Sequence, residues 1–67
     1  MSVARITEIS ATSNKSFDDA AKLGVERANK TLRNVKSAWI KEQTVRVEDG
    51  AIIEYQVNML VTFVLDD

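Results

Sequence analysis

The side chains best suited to binding a ligand are one indole and three amides. Trp39 is the only tryptophan, and it is predicted to share one face of a sheet with the primary amides of Gln43, Gln56 and Asn58. An indole can stack on a planar heterocycle, while an amide offers a donor and an acceptor to the edge of the ring. This combination predicts a heteroaromatic binding site. An alternative stays open, in which Trp39 is a large anchor in an interface between subunits.

The composition leaves little chemistry for catalysis. The 67-residue chain has no histidine and no cysteine, so imidazole bases, thiolate nucleophiles and their metal sites are absent. The two glycines, Gly24 and Gly50, fall in a helical pattern and in a turn, so no glycine-rich phosphate loop is predicted. We therefore expect a protein that is not an enzyme.

Adjacent carboxylates offer a second kind of site. A hard cation such as calcium could be bridged by such pairs across subunits. The same pairs are also typical of a helix N-terminus, a turn and a solvated tail, and the sequence therefore assigns no metal ligand. The pairs are Asp18 and Asp19, Glu48 and Asp49, and Asp66 and Asp67.

Charge and hydropathy limit the classes of partner that we expect the chain to bind. A net charge of −1 and a pI near 5.3 argue against nucleic acid, whose binders carry a basic surface. No apolar run approaches the roughly 20 residues that cross a bilayer, and the first residues lack the apolar region of a signal peptide. We expect a cytoplasmic protein with neither nucleic-acid nor membrane partners.

The C-terminal segment predicts one long strand. From Ala51 to Leu65 every odd position is apolar, whereas the even positions mix polar and apolar residues. Strict alternation is typical of a strand with one buried face, and this strand would be about 50 Å long. Upstream, 3–10 predicts a shorter strand beside it, followed by a polar loop over 11–15.

A helix is predicted from Phe17 to about Arg33. Ser16 and Asp19 have the spacing of a capping box, and apolar residues recur at helical intervals. The apolar stripe contains small residues, which allow a close approach to a sheet: Ala21, Gly24 and Ala28.

A hairpin is predicted to join the last two strands. Residues 36–48 form a strand pattern, and Asp49 and Gly50 form the turn that favours a two-residue hairpin loop. The resulting register pairs Trp39 with Leu60, Gln43 with Gln56, and Ser37 with Thr62. Apolar residues nearer the turn fall on the wrong face in this register, which predicts either a longer loop or a β-bulge, and the bulge would lie between Glu42 and Val45.

The elements predict one α+β domain over residues 1–67, with the order β-α-β-β. A single helix covers only one face of a three-stranded antiparallel sheet. The other face carries Trp39, Ile52, Leu60 and Val64, which is enough apolar surface to predict self-association.

Across nearly its whole length the chain resembles the dodecins, a family of small flavin-binding proteins. The likeness rests on the order and spacing of several short motifs rather than on any single one. These are Thr12-Ser13 with Ser16-Phe17, Arg27-Ala28, Thr31-Leu32-Arg33, Glu48-Asp49-Gly50, Tyr55-Gln56-Val57 and Val61-Thr62-Phe63-Val64-Leu65.

The resemblance implies a curved three-stranded antiparallel sheet wrapped around one helix, assembled as a hollow homododecamer. It also implies a non-enzymatic storage role, in which flavin rings are sandwiched between tryptophans and Gln56 bonds the ring edge. The stacking position of the family falls on Ser37, with Trp39 two residues further along the same face. Bacterial members that bind FMN tend to carry an arginine where this chain has Val64, which favours a riboflavin-like ligand over FMN.

The resemblance also implies an alternative function. Some members similar to this chain near Ala38 and Gln43 are associated with calcium rather than flavin. The second hypothesis is therefore a homo-oligomer of the same fold that binds no flavin and is structural or cation-stabilised.

Overall fold

The computed structural model describes residues 3–65 as one helix and three strands. Both outer strands pair antiparallel with the last strand, so the sheet order is β1-β3-β2. The sheet curves around one side of the helix, which confirms the predicted α+β architecture. The elements are β1 (Ala4–Ser13), α1 (Phe17–Thr31), β2 (Val35–Glu48) and β3 (Ala51–Val64).

Strand β1 is longer than the sequence predicts. The polar loop expected over 11–15 is wrong for its first three residues, because these continue the strand. Ala11 pairs with Val57, and the ladder continues to Ser13 opposite Tyr55. Alternation alone could not reveal this extension, since it depends on β3 offering an equally long partner.

The predicted N-cap of α1 is confirmed, but only half of the capping box forms. Ser16 is extended (φ −170°, ψ 167°), and its Oγ accepts the backbone N–H of Asp19 at 2.9 Å. The Asp19 carboxylate accepts instead from Ser13 Oγ at 2.6 Å. This bond joins the end of β1 to the first turn of the helix.

The helix ends at Thr31, two residues before the predicted end. The Leu32 N–H donates to the Ala28 carbonyl at 2.9 Å, and Asn34 then adopts a positive φ of 59° that turns the chain into β2. This helix is neither long nor apolar enough to span a membrane.

The inner face of the sheet, which is the face covered by α1, holds the core. Val57, Met59 and Val61 on β3 are fully buried there. The helix approaches so closely at Gly24 that a Cβ would meet Met59 Cε and lie 3.0 Å from Ala11 Cβ. The small-residue stripe therefore has the predicted role.

The hairpin turn is confirmed. Asp49 (φ 52°) and Gly50 (φ 78°) are both in the left-handed region that a type I′ turn requires. Farther from the turn, Trp39 pairs with Leu60 and Ser37 with Thr62, as predicted.

The middle of the hairpin has a different register from the predicted one. The expected pairing of Gln43 with Gln56 is wrong, because Thr44 lies opposite Gln56. One irregularity between Arg46 and Val47 shifts the register, and another between Ile40 and Glu42 shifts it back. Instead of the bulge predicted between Glu42 and Val45, the hairpin has two irregularities, one on each side of that segment.

The chain is elongated rather than globular. It measures 51 × 19 × 13 Å, and its radius of gyration is 13.8 Å. A compact chain of this length has a radius of gyration of about 11 Å. Helix α1 is about 22 Å long, whereas the two longest strands extend about 46 Å. The helix therefore covers only part of one face.

The close approach at Gly24 generates a stability prediction. Gly24→Val places a branched side chain against Met59 and Ala11, so overpacking should destabilise the protein by about 1–3 kcal/mol. Chemical denaturation at fixed protein concentration measures this change.

The matched control is Asn29→Val on the exposed side of α1. Asparagine and valine have similar helix propensities, so this substitution should change the free energy of unfolding by less than about 0.5 kcal/mol. Equal stability of the two variants would contradict the close packing of helix on sheet.

Candidate ligand-binding face

The outer face is defined here as the side of the sheet opposite α1. On β3 it comprises the even-numbered residues 54–64, which are intermediate in exposure. Their partners on β1 and β2 complete the face. It has an apolar region around Leu60 and a polar region around Gln56.

The apolar region carries the indole. Trp39 lies opposite Leu60 and is 68% exposed. Ile6 on β1 is 60% exposed and lies opposite Thr62, beside the same region. Ser37 is also exposed and faces Thr62 from the other strand. The register thus places Ser37 and Trp39 on one face, as the sequence predicts.

Gln43 lies on the opposite side of the sheet from Gln56. It is paired with Val57, whose side chain is buried beneath the helix. Successive strand residues alternate between faces, so a register change of one residue transfers a side chain to the other face. The structure therefore separates Gln43 from the other predicted site residues.

A chain of hydrogen bonds crosses the polar region. Gln56 Nε2 donates to Ser10 Oγ at 3.1 Å and to Asn58 Oδ1 at 3.2 Å. Asn58 Nδ2 donates to Glu42 Oε1 at 3.2 Å. Ser10 on β1 and Glu42 on β2 both lie opposite Asn58 on β3. This polar network of four side chains links all three strands.

Two members of the polar network, Ser10 and Glu42, are not predicted from the sequence. The sequence pattern places Ser10 only at the end of a strand, and Glu42 only in the segment expected to contain a bulge. The cross-strand positions opposite Asn58 would have identified both, but only once the true register was known.

A shallow recess adjoins Gln56. Its volume is about 190 Å³, and it is lined in part by Thr44, Arg46 and Glu54. Arg46 and Glu54 are directly opposite each other on the outer face. Sites for small molecules usually have volumes of about 300–1,000 Å³. The recess beside Gln56 is therefore too small to be a complete ligand pocket by itself.

The indole and the amide are well separated within one chain. Trp39 is level with Leu60, which is four residues along β3 from Gln56. Four strand residues correspond to about 13 Å. The residues opposite Gln56 are Thr12 and Thr44, so no aromatic ring neighbours it on the adjacent strands. A site in which one ring both stacks on an indole and bonds Gln56 is therefore best formed by two copies of the chain.

The two carboxylate pairs within the described residues, Asp18 with Asp19 and Glu48 with Asp49, do not come together in one chain. Within residues 3–65, no three acidic side chains are arranged to hold a metal ion. Asp19 bonds to Ser13 at the helix N-terminus, and Asp49 is part of the hairpin turn. Asp66 and Asp67 lie outside the described residues.

The fold and the face together define a class of protein, a small β-α-β-β chain whose sheet is covered on one side only. The chain belongs to the dodecin family, since the family model Dodecin matches residues 3–66. The resemblance noted from the sequence motifs is thus confirmed.

Individual relatives agree with this assignment. A solved dodecin from Streptomyces davaonensis is 36% identical, with a TM-score of 0.94, and the match covers 98% of this chain and 97% of that chain. The calcium dodecin of Mycobacterium tuberculosis (strain ATCC 25618 / H37Rv) is 32% identical over 63 residues, which are 94% of this chain and 89% of the relative.

A crystal structure of the Mycobacterium tuberculosis calcium dodecin also matches, with a TM-score of 0.83 and 29% identity. The match covers 96% of this chain and 91% of that chain. That protein is described as calcium chelating, with a novel calcium-binding site.

Proposed function

We propose that the protein is a non-enzymatic flavin-storage protein that assembles as a homododecamer. This proposal rests on one observation. The exposed indole of Trp39 and the Gln56 amide, which is held by hydrogen bonds, lie on the same uncovered face of the sheet. Membership of the dodecin family supports the same function. In this role the protein would sequester riboflavin-like molecules and buffer their free concentration.

In the proposed site, a flavin ring stacks on Trp39 of one copy and bonds Gln56 of another. The separation of about 13 Å along β3 favours this two-copy arrangement. Ser37 is small and lies two residues from Trp39, so its side chain leaves the indole exposed for stacking. Gln43 is left out of the proposed site because it lies on the other side of the sheet.

Riboflavin fits the proposed site better than FMN does. The FMN phosphate requires a cationic partner. Val64, at the end of β3, is apolar at the position where the family resemblance implies an arginine in FMN-binding members. The ligand expected for this chain is therefore an uncharged flavin.

The proposal predicts strong quenching of riboflavin emission when the protein is added, because indole stacks on the ring. Trp39→Ala removes the stacking surface and should weaken binding by ~30-fold, as expected for loss of an anchoring aromatic. A fluorescence titration with micromolar protein measures both effects.

Trp39→Phe serves as the matched control, since it keeps an aromatic face and should retain most of the affinity. Absence of quenching by the unmodified protein would overturn flavin binding. If the oligomer of the Trp39→Ala variant also dissociated, the indole would instead be an anchor in the interface between subunits.

Assembly through the outer face generates a second prediction. Ile6→Lys places an unpaired charge on this face, and its burial between copies is strongly unfavourable. The variant should therefore elute as smaller species in size exclusion with light scattering. Asn29→Lys, on the exposed side of α1, should leave the assembly intact. Unchanged assembly of the Ile6 variant would show that copies associate elsewhere.

Calcium binding is a second candidate function, favoured by the 32% identity to a calcium dodecin. The two candidates differ in their response to a chelator. The flavin proposal predicts that EDTA leaves the thermal unfolding midpoint unchanged. If calcium at 100 times its Kd stabilised the assembly, its removal would cost about 2.7 kcal/mol. A lowered midpoint that calcium restores would therefore support the calcium function.

A further inference from the structure

We propose that Glu42 is a positioning residue that sets the direction of the Gln56 amide and thereby selects ligands with an N–H group. This inference rests on the proposed flavin site and assigns a role to a residue outside it. Glu42 acts through Asn58, and no contact between Glu42 and the ligand is required.

The direction of the polar network is set at Glu42. An ionised carboxylate can only accept hydrogen bonds. The Asn58 amide therefore has to present Nδ2 to Glu42, as observed at 3.2 Å between Nδ2 and Oε1. The opposite amide orientation would place two acceptor oxygens together, which is repulsive.

The orientation of Asn58 then determines that of Gln56. With Nδ2 facing Glu42, Asn58 presents Oδ1 to Gln56, and an acceptor at that point requires a donor. Gln56 supplies Nε2, whose second proton is directed to Ser10 Oγ at 3.1 Å. Both protons of the Gln56 amide are thus committed within the sheet. The oxygen Oε1 is left to face a ligand.

An oxygen acceptor at this position selects among ring edges. The flavin pyrimidine edge carries one imide N–H between two carbonyl groups, and only the N–H can donate to Oε1. A heterocycle with carbonyl groups alone offers no donor, so Gln56 Oε1 would be buried without a hydrogen bond. Such a ligand would therefore bind more weakly. The inferred ligand class is therefore planar heterocycles with an imide N–H.

Comparison of riboflavin with its N3-methyl derivative tests this selectivity. The unmodified protein should bind riboflavin more tightly by roughly 10- to 100-fold, as expected for a site built to pair with a donor. In Glu42→Gln, residue 42 can donate as well as accept, so the polar network loses its fixed direction. The preference should then fall by roughly tenfold, because Nε2 can also face the ligand.

The methyl group is equally bulky in both proteins, so the change in preference reports amide orientation rather than fit. Glu48→Gln is the matched control, since it removes the same charge at the end of β2 nearest the turn. This variant should keep the preference of the unmodified protein. An undiminished preference in Glu42→Gln would overturn the inference.

Neutron diffraction from deuterated crystals without ligand provides a test independent of flavin binding. The unmodified protein should show two deuterons on Gln56 Nε2, directed at Ser10 and Asn58. The Glu42→Gln variant should show a mixture of both Gln56 amide orientations. A Gln56 oxygen facing Asn58 in the unmodified protein would overturn the inference even if riboflavin bound. If riboflavin failed to bind, the flavin proposal would fail, while the deuteron positions would still decide the role of Glu42.

Discussion

The structure depends on a mismatch between one short helix and three long strands. Helix α1 contains 15 residues, whereas β2 and β3 each contain 14 residues in extended conformation. The helix can bury only the central part of the inner face, where Val57, Met59 and Val61 form the core. Such a small core gives marginal stability to an isolated chain of this size. The proposed association between copies would therefore also add to the stability of each chain.

Because the single helix packs on one side of the sheet, the outer face is left available for a ligand. Its apolar region presents Trp39 and Ile6, which suit burial against a flat partner. Its polar region holds Gln56 in hydrogen bonds that cross the sheet. Because the two regions are separated along β3, neither completes a flavin site alone. In the proposed function, binding and assembly are consequently coupled through one surface.

The sequence predicts most of the fold because its strongest patterns are local. The alternation in β3, the Ser16 N-cap and the turn at Asp49 and Gly50 each follow from backbone chemistry, and each is observed. The extent of β1 was not predictable in this way. It depends on pairing with β3, which is a tertiary contact. The candidate site was harder to predict because the strand register determines the face of the sheet on which each side chain lies. Ser37 and Trp39 lie where the two-residue hairpin places them, upstream of both central irregularities. Gln43 lies between those irregularities, and the shift of one residue moves it to the inner side. The number of copies and the ligand remain predictions, because both depend on contacts beyond one chain.

Native mass spectrometry of the protein mixed with riboflavin tests most directly whether binding requires more than one copy. It measures the number of chains and the number of bound ligands in the same species. We predict a homododecamer that carries flavin, and dissociated chains that carry none. A dissociated single chain that retains riboflavin, or an assembly that never binds it, would contradict the account.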